Sequence, residues 1–246
     1  MIDTHAHLDA CADPPDELVR RAREAGVGRI LTVGTKIERC RTALELAERH
    51  DEVFAILGIH PHEAGEDHEL DALRGLLAHP RAVGVGETGL DFFRDYAPHD
   101  RQRELFRRHL ELAGELRKPV VIHNRAADAP VLEELTSFDG TVVLHCFSSP
   151  SALPAALERG YYVSFAGNAT YKNASDLRLA ATQVPFDRIL TETDAPYLSP
   201  EPLRGRPNEP AHVSHTLRVL AVARGVDPGE LAAQVDENAR RAFGLP

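Results

Sequence analysis

Eight short runs rich in β-branched residues alternate along the chain with longer segments of helical periodicity. The runs occupy residues 2–5, 29–34, 53–59, 82–87, 119–123, 141–145, 161–165 and 188–193. Several are almost continuously apolar, such as Val-Val-Ile at 120–122, as expected of strands that are buried on both faces of a parallel sheet. In a chain of 246 residues this alternation predicts an α/β protein, a (β/α)8 TIM barrel forming one domain over residues 1–246.

A doubly wound open sheet is the alternative for such an alternation. That fold usually has a glycine-rich phosphate-binding turn after its first strand. Here the same position reads His5-Ala6-His7, so we favour the barrel.

Some segments between the runs have signals for helix ends. Thr35 and Glu38 have the spacing of a capping box, which predicts a side-chain cap on a helix that continues to about His50. Asp227-Pro228 predicts another helix start, and residues 236–243 read as a separate short helix at the end of the chain.

The composition is that of an ordinary globular protein, with 43% apolar and 27% charged residues. No apolar run is long enough to span a bilayer, and the first strand begins at residue 2, so we expect a cytoplasmic protein with no membrane segment. The net charge of −10 argues against a broad phosphate-binding surface, although a nucleic acid could still bind at a local site. No feature demands an interface, and a monomer is the expectation.

Histidines and acidic residues stand at the carboxyl ends of the predicted strands. These ends meet at one face of a β/α barrel, where catalytic residues collect. His5 and His7 lie two positions apart at the end of the first strand, so their side chains point the same way. The remaining strand-end residues are His60, His62, Glu87, His123, His145 and Asp194. Imidazole and carboxylate ligands that converge in this way predict a metal centre.

The ligand types suggest two divalent ions. One ion would be held by His5, His7 and a carboxylate, and the second by His123 and His145. Glu87 has two carboxylate oxygens and can bridge the ions at the short separation that two-metal hydrolysis uses. The mixed ligand set suits Zn or Mn and permits Mg, and the sequence does not choose among them.

Asp194, on the last strand, can ligate the first ion and also accept a proton from a bound water. A water shared by two dications loses its proton near neutral pH and becomes the nucleophile. The predicted reaction is therefore a hydrolysis by a metal-bound hydroxide.

Motifs along the whole chain resemble the TatD family of metal-dependent deoxyribonucleases, within the amidohydrolase-like barrels. They are Met-Ile-Asp-Thr-His-Ala-His-Leu-Asp at 1–9, Gly-Ile-His-Pro at 58–61, Gly-Glu-Thr-Gly-Leu-Asp at 86–91, Val-Ile-His at 121–123, His-Cys-Phe-Ser at 145–148, Thr-Glu-Thr-Asp-Ala-Pro-Tyr-Leu at 191–198, Arg-Gly-Arg-Pro-Asn-Glu-Pro at 204–210, and Asn238 to Phe243.

The resemblance implies hydrolysis of phosphodiester bonds in DNA, often as a 3′→5′ exonuclease that prefers single strands or 3′ ends. The resemblance implies that the metal ligands are His5, His7, Glu87, His123, His145 and Asp194. His60 would face the scissile phosphate as a hydrogen-bond or proton donor, with His62 ranked below it because the motif contains only the first histidine.

The resemblance also implies supporting roles around the ligands. Arg125 and Asn208 match positions near the mouth of the site, where they would contact substrate or support the ligands, or be structural. Glu192 and Asp91 are expected to orient ligands rather than to bind metal. The segment after the strand-5 histidine, Asn-Arg-Ala-Ala at 124–127, lacks an acidic group that the family usually has, which leaves open how the substrate is held.

Three other functions remain open. The same site could hydrolyse the ester of D-aminoacyl-tRNA, so tRNA is an alternative partner. A cyclic-amide or lactone hydrolase is disfavoured, because many of these use a carboxylated lysine and none of Lys36, Lys118 and Lys172 ends a strand. A non-enzymatic scaffold conflicts with a complete ligand set.

Aromatic side chains near the strand ends could stack a nucleic-acid base or simply anchor loops. They are Phe92, Phe93, Tyr96, Phe147, Phe165, Tyr171 and Tyr197.

Overall fold

The computed structural model describes residues 1–246, which form eight strands and nine α-helices. The strands are β1 Ile2–Ala6, β2 Arg29–Gly34, β3 Val53–Leu57, β4 Ala82–Asp91, β5 Val120–Arg125, β6 Val142–Leu144, β7 Tyr162–Phe165 and β8 Ile189–Thr191. The helices are α1 Pro15–Glu24, α2 Ile37–Arg49, α3 Leu70–Leu77, α4 His99–Leu116, α5 Asp128–Glu134, α6 Leu153–Glu158, α7 Ser175–Gln183, α8 Val213–Arg224 and α9 Pro228–Phe243.

All neighbouring strands are parallel, and their order in the sheet is their order in the chain. The last strand returns to the first through a bridge between Ala6 and Ala195. There the His7 N–H donates to the Ala195 carbonyl at 2.7 Å and the Asp194 N–H donates to the His5 carbonyl at 2.9 Å. The predicted (β/α)8 barrel is confirmed.

The apolar core has two parts. A cluster of 53 buried residues fills the space between the sheet and the surrounding helices. A second cluster of 14 buried residues fills the inside of the barrel: Ile2, Leu31, Val33, Phe54, Ile56, Val83, Val121, Val143, Tyr162, Leu190, Ala239, Ala242, Phe243 and Leu245. The last four come from α9 and the residues after it, so the end of the chain packs against the barrel interior.

Two local expectations are wrong. The capping box does not form, because α2 begins at Ile37 with Lys36 at the N-cap position and no side-chain cap. Thr35 instead belongs to the loop between β2 and α2, where its carbonyl accepts the His60 N–H at 2.9 Å.

Nor is there a separate final helix. Residues 236–243 are the second half of α9, which begins where Asp227 accepts the N–H groups of Gly229 and Glu230. Nothing breaks this helix, because its buried residues Leu231, Val235, Asn238 and Ala242 recur at helical spacing. None of the helices has the length and apolar character that crossing a membrane requires.

Candidate metal centre

The strand-end histidines and acids meet at the C-terminal mouth of the barrel. His5 lies within β1 and His7 just beyond it, while Glu87 lies within β4. His123 belongs to β5, His145 follows β6 and Asp194 follows β8. Most of these side chains are buried, and the structure brings all of them into one cluster around Glu87.

The Glu87 carboxylate divides the histidines into two sides. Its Oε2 lies 3.4 Å from His5 Nε2 and 3.7 Å from His7 Nε2. Its Oε1 lies 2.8 Å from His123 Nδ1 and 2.9 Å from His145 Nε2. A carboxylate that serves two cations needs this arrangement, with one oxygen directed at each set of imidazoles.

Asp194 lies on the His5 and His7 side. Its Oδ1 is 3.6 Å from His7 Nε2 and 3.9 Å from His5 Nε2. Its backbone has a φ of +54°, in the left-handed region that aspartate tolerates better than most residues. The hydrogen bond from its N–H to the His5 carbonyl fixes this turn against β1.

β4 passes very close to β5 beside the site. Gly89 has a φ of +131°, and a Cβ at this position would lie 2.1 Å from the His123 carbonyl oxygen. Only glycine permits this approach. The close contact helps to place Glu87 of β4 against His123 of β5.

Two observations fit a metal at this site. His5 is fully buried, yet neither ring nitrogen has a hydrogen-bond partner, which is costly unless a ligand satisfies it. Three groups of side chains also place their ligand atoms within 4.8 Å of one another: His5 with Glu87 and His145, His5 with His7 and Asp194, and His60 with His62 and His123.

The protonation states of Glu87 and His5 also suit cation binding. Burial would raise the pKa of Glu87, but the charges of His145 and His60 and the hydrogen bond from His123 outweigh it and hold the pKa well below its ordinary value. Burial lowers the pKa of His5 to about 4. Near neutral pH, Glu87 is therefore ionised and His5 is neutral, and these are the ligand forms of both groups.

His60 and His62 complete the third group. His60 Nδ1 accepts the His62 backbone N–H at 3.1 Å, so His60 Nε2 carries the ring proton and lies 3.3 Å from Glu87 Oε1. His62 Nε2 lies 2.8 Å from Asp91 Oδ2. The family motif contains His60 but not His62, so His62 was the less expected substrate contact. The structure places both histidines in the same cluster with His123.

Asp91 and Glu192 stand behind the histidines. Asp91 Oδ2 contacts His62 and also His123 Nε2 at 3.1 Å, while its Oδ1 accepts backbone N–H groups of the following loop. Glu192 Oε1 lies 3.1 Å from His145 Nδ1. Both carboxylates have the geometry of groups that orient imidazole ligands.

Asn208 and Arg125 lie in different settings. The Asn208 side chain is buried, and its amide donates to the carbonyls of Thr193 and Tyr197 on either side of Asp194. Its oxygen faces His212 Nδ1 at 3.1 Å, so no polar atom is free for a substrate. This position fits support of the Asp194 loop and not a substrate contact.

Arg125 is exposed at the mouth, with its guanidinium 4.2 Å from the ring centre of Phe93.

Sequence reasoning missed two residues that support the site. Asp3 is fully buried and accepts the Thr193 N–H at 2.8 Å and the Thr193 hydroxyl at 2.6 Å, which joins β1 to the segment before Asp194. Asp3 lies two residues before His5 on the same strand, and this spacing could have indicated that it supports the site. His109 of α4 accepts the Ile59 N–H at 3.0 Å, next to His60, and no local pattern indicates that contact.

Comparisons with known proteins identify the family of this chain. The family described as TatD related DNase matches residues 2–244. A Mycobacterium tuberculosis protein named uncharacterized metal-dependent hydrolase TatD is 42% identical, with 100% of this chain and 98% of the relative covered. The Erwinia tasmaniensis protein named 3′-5′ ssDNA/RNA exonuclease TatD is 38% identical, with 100% of both chains covered.

Solved structures give the same result. The crystal structure of the TatD homologue YjjV from Escherichia coli has a TM-score of 0.94 and 32% identity, and the match covers 100% of this chain and 98% of that one. A D-hydantoinase from Thermus, with 16% identity and a TM-score of 0.72, shares the fold. The resemblance seen in the motifs is confirmed, and this chain belongs to the TatD-related DNase family.

Proposed function

We propose that this protein is a metal-dependent hydrolase that removes nucleotides from the 3′ end of single-stranded nucleic acid by cleaving phosphodiester bonds. The observation that carries the proposal is Glu87, whose two oxygens face separate groups of histidines at the barrel mouth. Relatives named 3′-5′ ssDNA/RNA exonuclease TatD match the whole length of the chain and support the choice of substrate.

Two divalent cations would be held on the two sides of Glu87. His5, His7 and Asp194 would bind one, and His123 and His145 the other, with Glu87 shared. When bound, the cations supply the positive charge that makes a water nucleophilic and that stabilises the leaving oxygen. The mixed imidazole and carboxylate set suits Zn or Mn and also permits Mg.

Asp194 is the proton acceptor in this proposal. Glu87 is enclosed by five histidines, whereas the Asp194 carboxylate contacts only His5 and His7 and keeps part of its surface open to the mouth. A carboxylate in this position can take the proton of an attacking water. The hydrogen bond from the Asp194 N–H to the His5 carbonyl keeps it there.

His60 would stabilise the phosphate. Burial lowers its pKa to about 4, so the ring is neutral near pH 7. Because Nδ1 accepts the His62 N–H, the proton is on Nε2, which points to the Glu87 side of the site. His60 would therefore donate a hydrogen bond to a phosphoryl or leaving oxygen as a neutral imidazole.

A digestion experiment tests the proposal. Metal-stripped protein receives Mg, Mn or Zn in turn, with a single-stranded DNA labelled at its 5′ end, and Asp194→Asn is the control. We expect a metal-restored ladder that shortens by one nucleotide at a time from the 3′ end and is absent with Asp194→Asn. A DNA strand left uncut with every metal would refute the exonuclease proposal, and D-aminoacyl-tRNA would be the next substrate to offer.

A further inference from the structure

Large apolar side chains are exposed at the mouth of the barrel. Phe93 and Tyr96 are each 62% exposed and Tyr197 is 57% exposed. The two other strongly exposed residues of this kind, Leu179 and Val222, lie on the outer helices α7 and α8. Exposed aromatic residues beside a polar cleft are typical of a binding surface.

The first group of exposed aromatics follows β4. We call Phe93, Tyr96, Arg94 and Arg125 together the Phe93 patch. The guanidinium of Arg125 lies 4.2 Å from the Phe93 ring centre, and that of Arg94 lies 5.7 Å from Phe93 and 5.9 Å from Tyr96. The Tyr96 ring is 4.7 Å from the His62 ring. The patch thus runs from the rim directly to the cluster of His60, His62 and His123.

The second group follows β7 and β8. We call Tyr171, Tyr197 and Arg204 together the Tyr197 patch. The Tyr197 ring meets His7 edge to face at 5.9 Å, and the guanidinium of Arg204 lies 3.8 Å from the Tyr171 ring centre. Since β4 and β8 are four strands apart in an eight-stranded barrel, the two patches face each other across the mouth. Each adjoins one side of the Glu87 cluster.

The charges at the two patches suit a polyanion. The protein has a net charge of −10, but Arg94, Arg125 and Arg204 all lie on aromatic rings here. None of the three forms an ion pair with a carboxylate of the protein. Their donors are therefore available to phosphate oxygens beside the aromatic faces.

We propose that the Phe93 patch and the Tyr197 patch stack the bases on either side of the scissile phosphate of an unpaired strand, while the three arginines contact the flanking phosphates. This inference rests on the proposed function and names the side chains that would hold its single-stranded substrate. Stacking uses the faces of bases, which a duplex hides, and it tolerates any sequence. Stacking does not involve the 2′-hydroxyl, so both single-stranded DNA and RNA fit.

The experiment compares a twelve-residue oligothymidine with the same strand that has abasic residues at its two 3′ positions. For Phe93→Ala and Tyr197→Ala we expect kcat/KM on oligothymidine to fall by roughly 5- to 100-fold. On the abasic strand neither variant should differ from wild type, because no base remains to stack. Phe93→Trp should retain activity, and Val222→Ala, which removes an apolar side chain that is 80% exposed elsewhere, should change nothing.

Equal losses on both strands would overturn the proposal, because the aromatics would then act only on protein structure. Unchanged activity with oligothymidine would overturn it as well. If wild type digests neither strand, the proposed function fails, but fluorescence anisotropy with Asp194→Asn still tests the patches. Preference for oligothymidine over the abasic strand, abolished by Phe93→Ala, would support stacking, and equal binding of both strands would refute it.

Discussion

The two ends of the barrel are built from the same strands but have opposite chemistry. On β5, Val121 lies in the apolar interior, and His123, two residues further, points from the same face into the mouth. Val143 of β6 and His145, which directly follows that strand, repeat this arrangement. Apolar side chains fill the N-terminal end, joined there by Phe243 of α9, whereas imidazoles and carboxylates line the C-terminal end.

The comparison separates stability from chemistry. Buried apolar contacts at the N-terminal end stabilise the fold, while the buried polar groups at the mouth are satisfied only in part by the protein itself. Substitutions at the two ends should therefore fail in different ways. Those at the lower end should reduce the free energy of unfolding, and those at the mouth should reduce turnover.

The largest effect should come from Phe243→Ala. This side chain is buried between α9 and the barrel interior, and its removal should lower the free energy of unfolding by about 3–5 kcal/mol. Denaturant unfolding measures this, with the exposed Val222→Ala as the control expected within about 0.5 kcal/mol of wild type. A Phe243→Ala protein that is fully stable but loses its metal would contradict the assignment of stability to one end of the barrel and chemistry to the other.

His60→Ala should have the complementary effect. Loss of the neutral Nε2–H donor should lower kcat by roughly 100- to 1000-fold while both metals stay bound. Turnover and metal content are measured together, with His79→Ala, a residue remote from the mouth, as the control. A variant that loses metal would show that His60 is a ligand.

A pH effect should appear at His109, which links α4 to the segment before His60. Burial lowers the pKa of His109 to about 4 in the folded protein, below the ordinary value of 6.5. As the pH falls, the unfolded chain therefore takes up a proton at His109 before the folded protein does. The neutral His109 stabilises the fold fully above about pH 6.5, and this contribution to the free energy of unfolding is lost as the pH falls toward 4.

Between pH 7 and 4, the free energy of unfolding of wild type should fall by up to about 3 kcal/mol more than that of His109→Gln. The glutamine keeps an acceptor for the Ile59 N–H but does not titrate. Unfolding curves at several pH values test this difference. Parallel pH dependences for the two proteins would contradict it.

The smallest effect should come from Asn208→Ala. Its amide holds the carbonyls of Thr193 and Tyr197, so its loss should cost about 1–3 kcal/mol of stability and lower kcat through a looser Asp194. KM should change little, and Asn173→Ala, an exposed asparagine, should match wild type. A higher KM at unchanged stability would make Asn208 a substrate contact after all.

The barrel and the gathering of strand-end residues could be predicted because both follow from local patterns. Alternation fixed the direction of His5 and His7, and parallel topology brought the other strand ends to the same face. Contacts between distant segments could not be predicted in this way. The inward turn of Asn208 and the link from His109 to Ile59 depend on how loops and helices pack.

Local helix signals were least reliable where tertiary packing decides. Thr35 and Glu38 have capping-box spacing, but the Thr35 carbonyl is used by the His60 N–H and the helix begins two residues later at Ile37. At the other end of the chain, packing of α9 against the barrel keeps residues 236–243 in one helix with the residues before them. Tertiary contacts therefore decided where α2 begins and whether α9 continues, and the local signals did not.

The central claim is that Glu87 serves two cations at once. Metal analysis after equilibrium dialysis against Mn or Zn tests it directly, with circular dichroism to verify that each protein is folded. Wild type should retain two ions per chain, and Glu87→Gln should lose affinity for both together, because each oxygen of Glu87 faces a different group of histidines. A folded Glu87→Gln protein that keeps either ion at wild-type affinity would contradict the shared role of this carboxylate.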